Sequence, residues 1–505
     1  MKKKESLTRF FLPTLADLVF ILVFYLVLQI GSMLFADGDP GRHITAGKYM
    51  LETGSILTKD IFSYTMLGQP ITPHEWLAQV SFGLADLLMG LNGVVLLTAI
   101  ILGITFTLLY RDILQQKPTP LLAAAFSFLA ALATSLHWLA RPHIFTLLIF
   151  TLWVGRLRRV SQDQKVPIWQ FPIIMLFWVN THGAFIAGFL TWLIYMIGWL
   201  VQNWIDAEKP STSVFKRLSW VGGLSFLVSF INPVGWHLWQ TSIGYISNHF
   251  LVDLTIEYAS PNFHQLISYP ALIFLGLAIF LLSRGWKKCS WTESLLLAAW
   301  VAMGLYSVRN MPLFTIVATP IIAGLVQSIL AVPGEKKVPE RLSWYPTLED
   351  SWSKIEFSAR GILWPLVTVL VVTGLLISGV RLDPQRQGYH FRGDVFPVNA
   401  VNWLESNPQQ GNMFNEFGWG GYLIYRLWPE YKVFMDGQLD FYGETLTRQH
   451  QQLLNADPGW EDIIQQYKIQ WVIIRPDRTL AHILEISPGW VTLYQDQTAI
   501  IFRKE

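Results

Sequence analysis

Long apolar runs separated by short polar segments fill the first three-quarters of the chain. A membrane-spanning helix needs about 20 apolar residues, and eleven runs approach that length: residues 13–35, 92–110, 120–138, 142–155, 166–179, 183–204, 218–231, 266–282, 294–308, 311–331 and 362–380. The runs at 142–155, 166–179 and 218–231 are short, and dropping the first two leaves the parity of the count unchanged. After residue 380 the pattern becomes that of a water-facing domain. It predicts a helix at 398–406, a strand at 412–416, a helix at 421–428, a strand at 432–436, helices through 446–467, a strand at 471–475 and a terminal pair around 491–502. The expected fold is therefore an α-helical polytopic membrane protein of about eleven transmembrane helices over residues 1–380, with a small C-terminal α/β soluble domain over 381–505.

Composition agrees. Of 505 residues, 52% are hydrophobic and only 14% charged, and the mean hydropathy is +0.37, so a bilayer is the solvent for most of the chain. The net charge of +2 comes from basic clusters at the ends of apolar runs. No soluble basic face results, and nucleic acid is not an expected partner. The clusters report topology instead. With Lys2, Lys3 and Lys4 inside, alternation puts the clusters at Arg111/Lys117, Arg156–Lys165, Lys209–Arg217, Arg284–Lys288 and Lys336–Arg341 on the cytoplasmic side. The first run reads as a retained span, and the soluble domain falls outside. Cys289 is the sole cysteine, so neither an internal disulfide nor a cysteine metal site can form.

The same register gathers the chemically capable side chains on the outer face. Residues 36–91 form a loop too long for a connector, and it opens with FADGDPGRH. Asp37 and Asp39 suit either a divalent cation, Mg or Mn, held by carboxylate oxygens, or a general base for an acceptor hydroxyl. The competing structural role is a cap for the helix expected near His43. Asp39 precedes Pro40, which favours an extended turn aimed at the bundle mouth. Further along, PHEW (residues 73–76) opens an amphipathic stretch suited to the membrane interface. Arg141 and Arg309 stand at the same membrane level and suit a lipid phosphate, against simple snorkelling to headgroups. His43, His74, Glu75, His143, His182 and Asn310 complete the set, as polar groups that would contact substrate at the bundle mouth. The histidines lack metalloprotease spacing.

With these residues in place, the chain resembles the polyprenyl-phosphate-sugar-dependent membrane glycosyltransferases of the GT-C superfamily, and is similar to bacterial protein-mannosyltransferase-like proteins. The likeness lies in ADGD after the first span, the long loop with PHEW, the outer RPH and RN elements, and the appended outer domain. It implies a first-loop Asp as catalytic base, here Asp39 or Asp37, and basic residues on the lipid phosphate, here Arg141 and Arg309. It also implies a lipid-linked sugar donor and location in the cell membrane. The segment NMFNEFGWGGYLIYRLWPEYKVFMDGQLDFYG gains no role from the resemblance. A transporter or lipid-carrier flippase would instead require ionisable groups near the midplane and a repeat of two halves. An envelope scaffold would leave Asp39 replaceable.

Overall fold

The computed structural model describes residues 11–206, 209–330, 344–359 and 361–505. Most of them are helical. Five helices are long and apolar enough to cross a bilayer: Leu91–Leu114, Pro120–His137, Phe185–Ile205, Leu266–Arg284 and Val308–Ile329. Thr347–Ser358 and Leu363–Ile377, bent by 83° at their junction, would count as a sixth. Leu15–Gln29, Trp76–Met89 and Gln170–Val179 are apolar but shorter. The first apolar run thus breaks near its end: its helix stops at Gln29, and a 3-10 turn at Gly31–Phe35 leads into the acidic segment. The basic cluster at 336–341 lies outside the described residues.

The first helix starts from a capping box, in which Thr14 accepts from the Asp17 N–H while the Asp17 carboxylate accepts from that of Thr14. Among the expected few buried charges, one ion pair stands out: Arg158 on His143–Ser161 meets Asp112 on Leu91–Leu114, both nearly buried.

In the long outer loop, the helix Asp39–Thr53 lies directly on Trp76–Met89. A side chain on Gly47 would strike the Gln79 carbonyl at 1.8 Å, so backbone meets backbone there. PHEW therefore opens a helix that buries Ala78, Phe82 and Gly83 against protein while Leu84, Leu87 and Leu88 face outward.

At the C-terminal end a four-stranded sheet runs in the order β1-β2-β4-β3, with β1 Asn412–Asn415, β2 Ile469–Ile474, β3 Trp490–Gln495 and β4 Ile500–Lys504. β1 and β2 are parallel and the other pairs antiparallel. Phe414, Val472, Ile474, Ile500 and Phe502 fill the core under helices Leu439–Asn455 and Thr479–Ile486.

Two expectations are corrected here. Residues 432–436 form no strand of this sheet. Val433 bridges Ser63 in the outer loop instead, its N–H donating to Phe62 O at 3.0 Å and its carbonyl accepting from Tyr64 N at 3.2 Å. The helix expected at 421–428 begins earlier, at Phe417, and ends at Leu427. Its glycines are contacts: a Cβ on Gly421 would lie 2.2 Å from Gly38 O, and one on Gly41 would lie 2.5 Å from Gly421 O. The C-terminal part is thereby set against the acidic turn.

Candidate active site

Backbone contacts bring the scattered outer segments together. The Ala140 N–H donates to Leu34 O at 2.9 Å, which holds RPH beside the acidic turn. Leu77 N–H donates to Asn180 O, and the Trp76 indole to Asn180 Oδ1 at 2.8 Å, joining PHEW to the segment that carries His182. Val308 N–H donates to Ala259 O, and Ser307 Oγ to Glu257 O, so the RN element meets Glu257 and Tyr258.

These segments enclose a cavity of about 730 Å³, and all ten residues singled out from the sequence line it: Asp37, Asp39, His43, His74, Glu75, Arg141, His143, His182, Arg309 and Asn310. One end is polar. The remainder is walled by apolar side chains such as Leu147, Ile186, Leu190, Trp300 and Leu313.

At the polar end three carboxylates share one guanidinium. Arg141 Nη1 lies 3.0 Å from Asp37 Oδ2 and 2.5 Å from Glu257 Oε1, and its Nη2 lies 3.0 Å from Asp39 Oδ2. Enclosure pushes the Asp37 carboxyl up to about 7, Asp39 and Glu257 adding to the rise and Arg141 opposing it. Asp37 keeps 36% of its side-chain surface open, so the driving force is the depth of the cavity more than close contact. Burial also acts to raise Glu257, but Arg141, with help from His137, outweighs it and holds that carboxyl below the usual range.

The helix begins at Asp39 itself, with Gly38 as N-cap and no side-chain capping bond. Asp39 is thus neither extended, as Pro40 led us to expect, nor a cap. Asp37 takes the local role, its Oδ1 accepting from Asp39 N at 3.1 Å. Both Asp37 oxygens are therefore engaged, whereas for Asp39 only Oδ2 meets Arg141.

Arg309 is placed differently. Among the described residues it forms no ion pair; its Nη1 donates to Tyr258 OH at 3.0 Å, and its guanidinium lies 5.3 Å from that ring. Three imidazoles surround Glu75. Ring nitrogens of His43, His74 and His182 each stand 3.8 Å from its oxygens, and burial raises the Glu75 carboxyl. Each ring is tied elsewhere: His43 to Gln79, His74 to Thr72 O, His182 to Thr146. His143 lies on the His137 carbonyl, and Asn310 donates to Met303 O.

For a divalent cation, the residues present do not make a cage. Arg141 occupies the space between Asp37 and Asp39, and no group of three His, Cys, Asp or Glu among the described residues is arranged to hold a metal.

The cavity also takes in Arg42, His137, Glu257, Tyr258, Gly437, Gln438 and Asp440. The sequence register assigns their segments to one face; their convergence was not legible, since it depends on how loops far apart in sequence pair.

The class defined by this architecture is the GT-C fold that the sequence resembles, in a multi-pass membrane protein. No family model and no curated protein matches the sequence. Among solved structures, the chain is similar to the archaeal oligosaccharyltransferase AglB from Archaeoglobus fulgidus, in complex with an inhibitory peptide and a dolichol-phosphate. That match has a TM-score of 0.59 at 12% identity, covering 91% of this chain and 69% of AglB. The apo form of the Archaeoglobus fulgidus oligosaccharyltransferase gives 0.57 at 12% identity, over 90% and 69%. ArnT from Cupriavidus metallidurans, bound to undecaprenyl phosphate, gives 0.48 at 12% identity, over 96% and 97%.

Proposed function

We propose that this protein is a membrane glycosyltransferase that moves a sugar from a polyprenyl-phosphate donor to an acceptor hydroxyl on the extracytoplasmic face, with inversion. The observation that carries the reading is the cavity itself. A single space joins an apolar compartment fit for a lipid chain to a polar end with a carboxylate and an arginine that forms no ion pair among the described residues. The fold shared with AglB, whose structure holds a dolichol-phosphate, supports it. Acceptor and sugar stay open.

In the proposed reaction the acceptor oxygen attacks the anomeric carbon while Asp39 Oδ1 takes its proton. The bond from the anomeric carbon to the phosphate oxygen breaks, and the electron pair leaves on the phosphate. Arg309 steadies that charge. Arg141, engaged by carboxylates, serves to hold Asp39 in place through Oδ2. The histidine belt and Asn310 border the path for the sugar. One displacement inverts the centre, and no step passes through a metal.

The membrane-spanning part over 1–380, with its long first outer loop at 36–91, would hold the lipid, and the part over 381–505 would cover the site from outside. A transporter would place its ionisable groups near the midplane; here most converge beside the outer loop. The test is a panel of radiolabelled polyprenyl-phosphate sugars with wild type and Asp39→Asn. General-base catalysis is worth about 10² to 10⁴ in rate, so the variant should lose turnover with its thermal stability unchanged. Near-normal transfer by Asp39→Asn at saturating donor would end the base assignment, and no turnover of any donor by wild type would end the transferase reading.

A further inference from the structure

The reaction above leaves two contacts without a role, both made by the segment MDGQLD. Arg42 lies one turn beyond Asp39 on the same helix and is 3% exposed. Its Nε donates to Asp436 Oδ2 at 3.1 Å, while Nη1 has no hydrogen-bond partner among the described residues. Asp436 is fixed further by Gln438 N–H on Oδ1 at 2.9 Å and by the Tyr442 hydroxyl on Oδ2 at 3.4 Å.

The next residue, Gly437, stands against the Asp39 carboxylate. A Cβ there would lie 2.2 Å from Asp39 Oδ1 and 3.2 Å from Cγ, far inside any contact a real Cβ makes. Nor can the turn retreat, because a Cβ on Gly420 behind it would already lie 2.5 Å from Asp436 Cα. Asp39 is thus bordered on two sides: Arg141 holds Oδ2, and the bare backbone of Gly437 leaves the space that Oδ1 occupies.

We propose that the Asp436–Gly437 turn is a positioning element for Asp39, with the Arg42 ion pair fixing the turn and the missing side chain of Gly437 leaving the carboxylate in its working place. The C-terminal part would then be a component of the active site, where sequence resemblance assigns it nothing. The catalytic meaning of this proposal rests on the transferase reading; the positioning itself does not.

The test uses the full-length protein in nanodiscs. A water-soluble carbodiimide with glycine ethyl ester is applied at fixed pH, and amide formation at Asp39, with the urea as leaving group, is read by mass spectrometry against exposed Asp462. Gly437→Ala and Asp436→Asn are expected to change Asp39 labelling by about threefold, because the displaced carboxylate meets the reagent in a different position. Undecaprenyl phosphate binding should stay within about twofold. A displacement of about 1 Å costs on the order of 10²-fold, so kcat should fall at least tenfold at constant donor KM. Combining Gly437→Ala with Asp39→Asn should add no further loss, because both act through one group. Identical Asp39 labelling in wild type and both variants overturns the proposal, as does altered labelling with unchanged kcat. If wild type neither binds undecaprenyl phosphate nor turns over a donor, the transferase reading falls, and the labelling comparison still decides the positioning.

Discussion

Replacing Arg141 with alanine removes the guanidinium that Asp37, Asp39 and Glu257 share. Breaking a buried ion pair by deleting one partner costs about 3–5 kcal/mol. Here Asp37 and Asp39 keep 36% and 24% of their side-chain surface open to the cavity, so screening favours the lower figure, about 3 kcal/mol. Over 505 residues that corresponds to roughly 3 °C in apparent Tm, at about 2.1 cal/mol/K of unfolding entropy per residue. The sign with pH is also fixed. Without Arg141 the Asp37 and Glu257 carboxyls lose the charge that opposes the rise burial gives them, so the folded state binds more protons than the unfolded chain. Such groups contribute stability that is complete below about pH 4 and lost as pH rises through the folded values. The deficit against wild type should thus be largest near pH 8 and shrink towards pH 5. Thermal unfolding in detergent, followed by the emission of the 23 tryptophans, measures it. No deficit at pH 8, or an equal one at both pH values, would refute the reasoning; an arginine kept only for a lipid phosphate predicts no loss in the ligand-free protein.

Arg309→Ala should weaken undecaprenyl phosphate binding by about 1.5–3 kcal/mol, with lysine restoring only part of it; an unchanged Kd would remove Arg309 from the phosphate role. Burial pushes the Asp436 carboxyl up to about 6 despite Arg42, so its protonation contributes about 3 kcal/mol of stability below pH 4 that is lost as pH rises through 6. Asp436→Asn should therefore flatten the fall of Tm between pH 4 and 7, and an unaltered slope would contradict this. Reporter fusions at Gly334 and Glu505 should show a cytoplasmic and an external signal respectively; a cytoplasmic signal at Glu505 would invert the topology and displace the site with it.

Much of the site was legible because membrane topology sorts residues by side. Charges excluded from hydrocarbon collect at span ends, and one register of basic clusters put Asp37, Asp39, Arg141 and Arg309 on one face. What hydropathy cannot convey is pairing. Arg309 and Arg141 look equivalent along the chain, yet one meets a neutral tyrosine and the other three carboxylates. The helix expected at 421–428 starts earlier, at Phe417, and carries Gly420 and Gly421 inside it, where close backbone approach to Asp436 and to Gly38 needs them. Residues 432–436 have the alternation of a strand, yet they form only a single bridge, from Val433 to Ser63 in the loop after the first helix. The number of spans was the least accessible quantity, since helices such as Gln170–Val179 are apolar yet short.

The bridge between the outer loop and the C-terminal segment also sets a schedule for biosynthesis. Thr65 and the Phe434 carbonyl it bonds are 369 residues apart. At about 5–20 residues per second, the acidic turn waits roughly 20 to 75 s before its partner segment is made. During that interval a newborn chain carries Asp39 and Arg42 without Gly437 and Asp436, the groups that stand against them in the finished fold. A protein that stalls or is clipped before residue 433 would keep its apolar helices and lack that contact, and under the proposed reaction it would lack activity too.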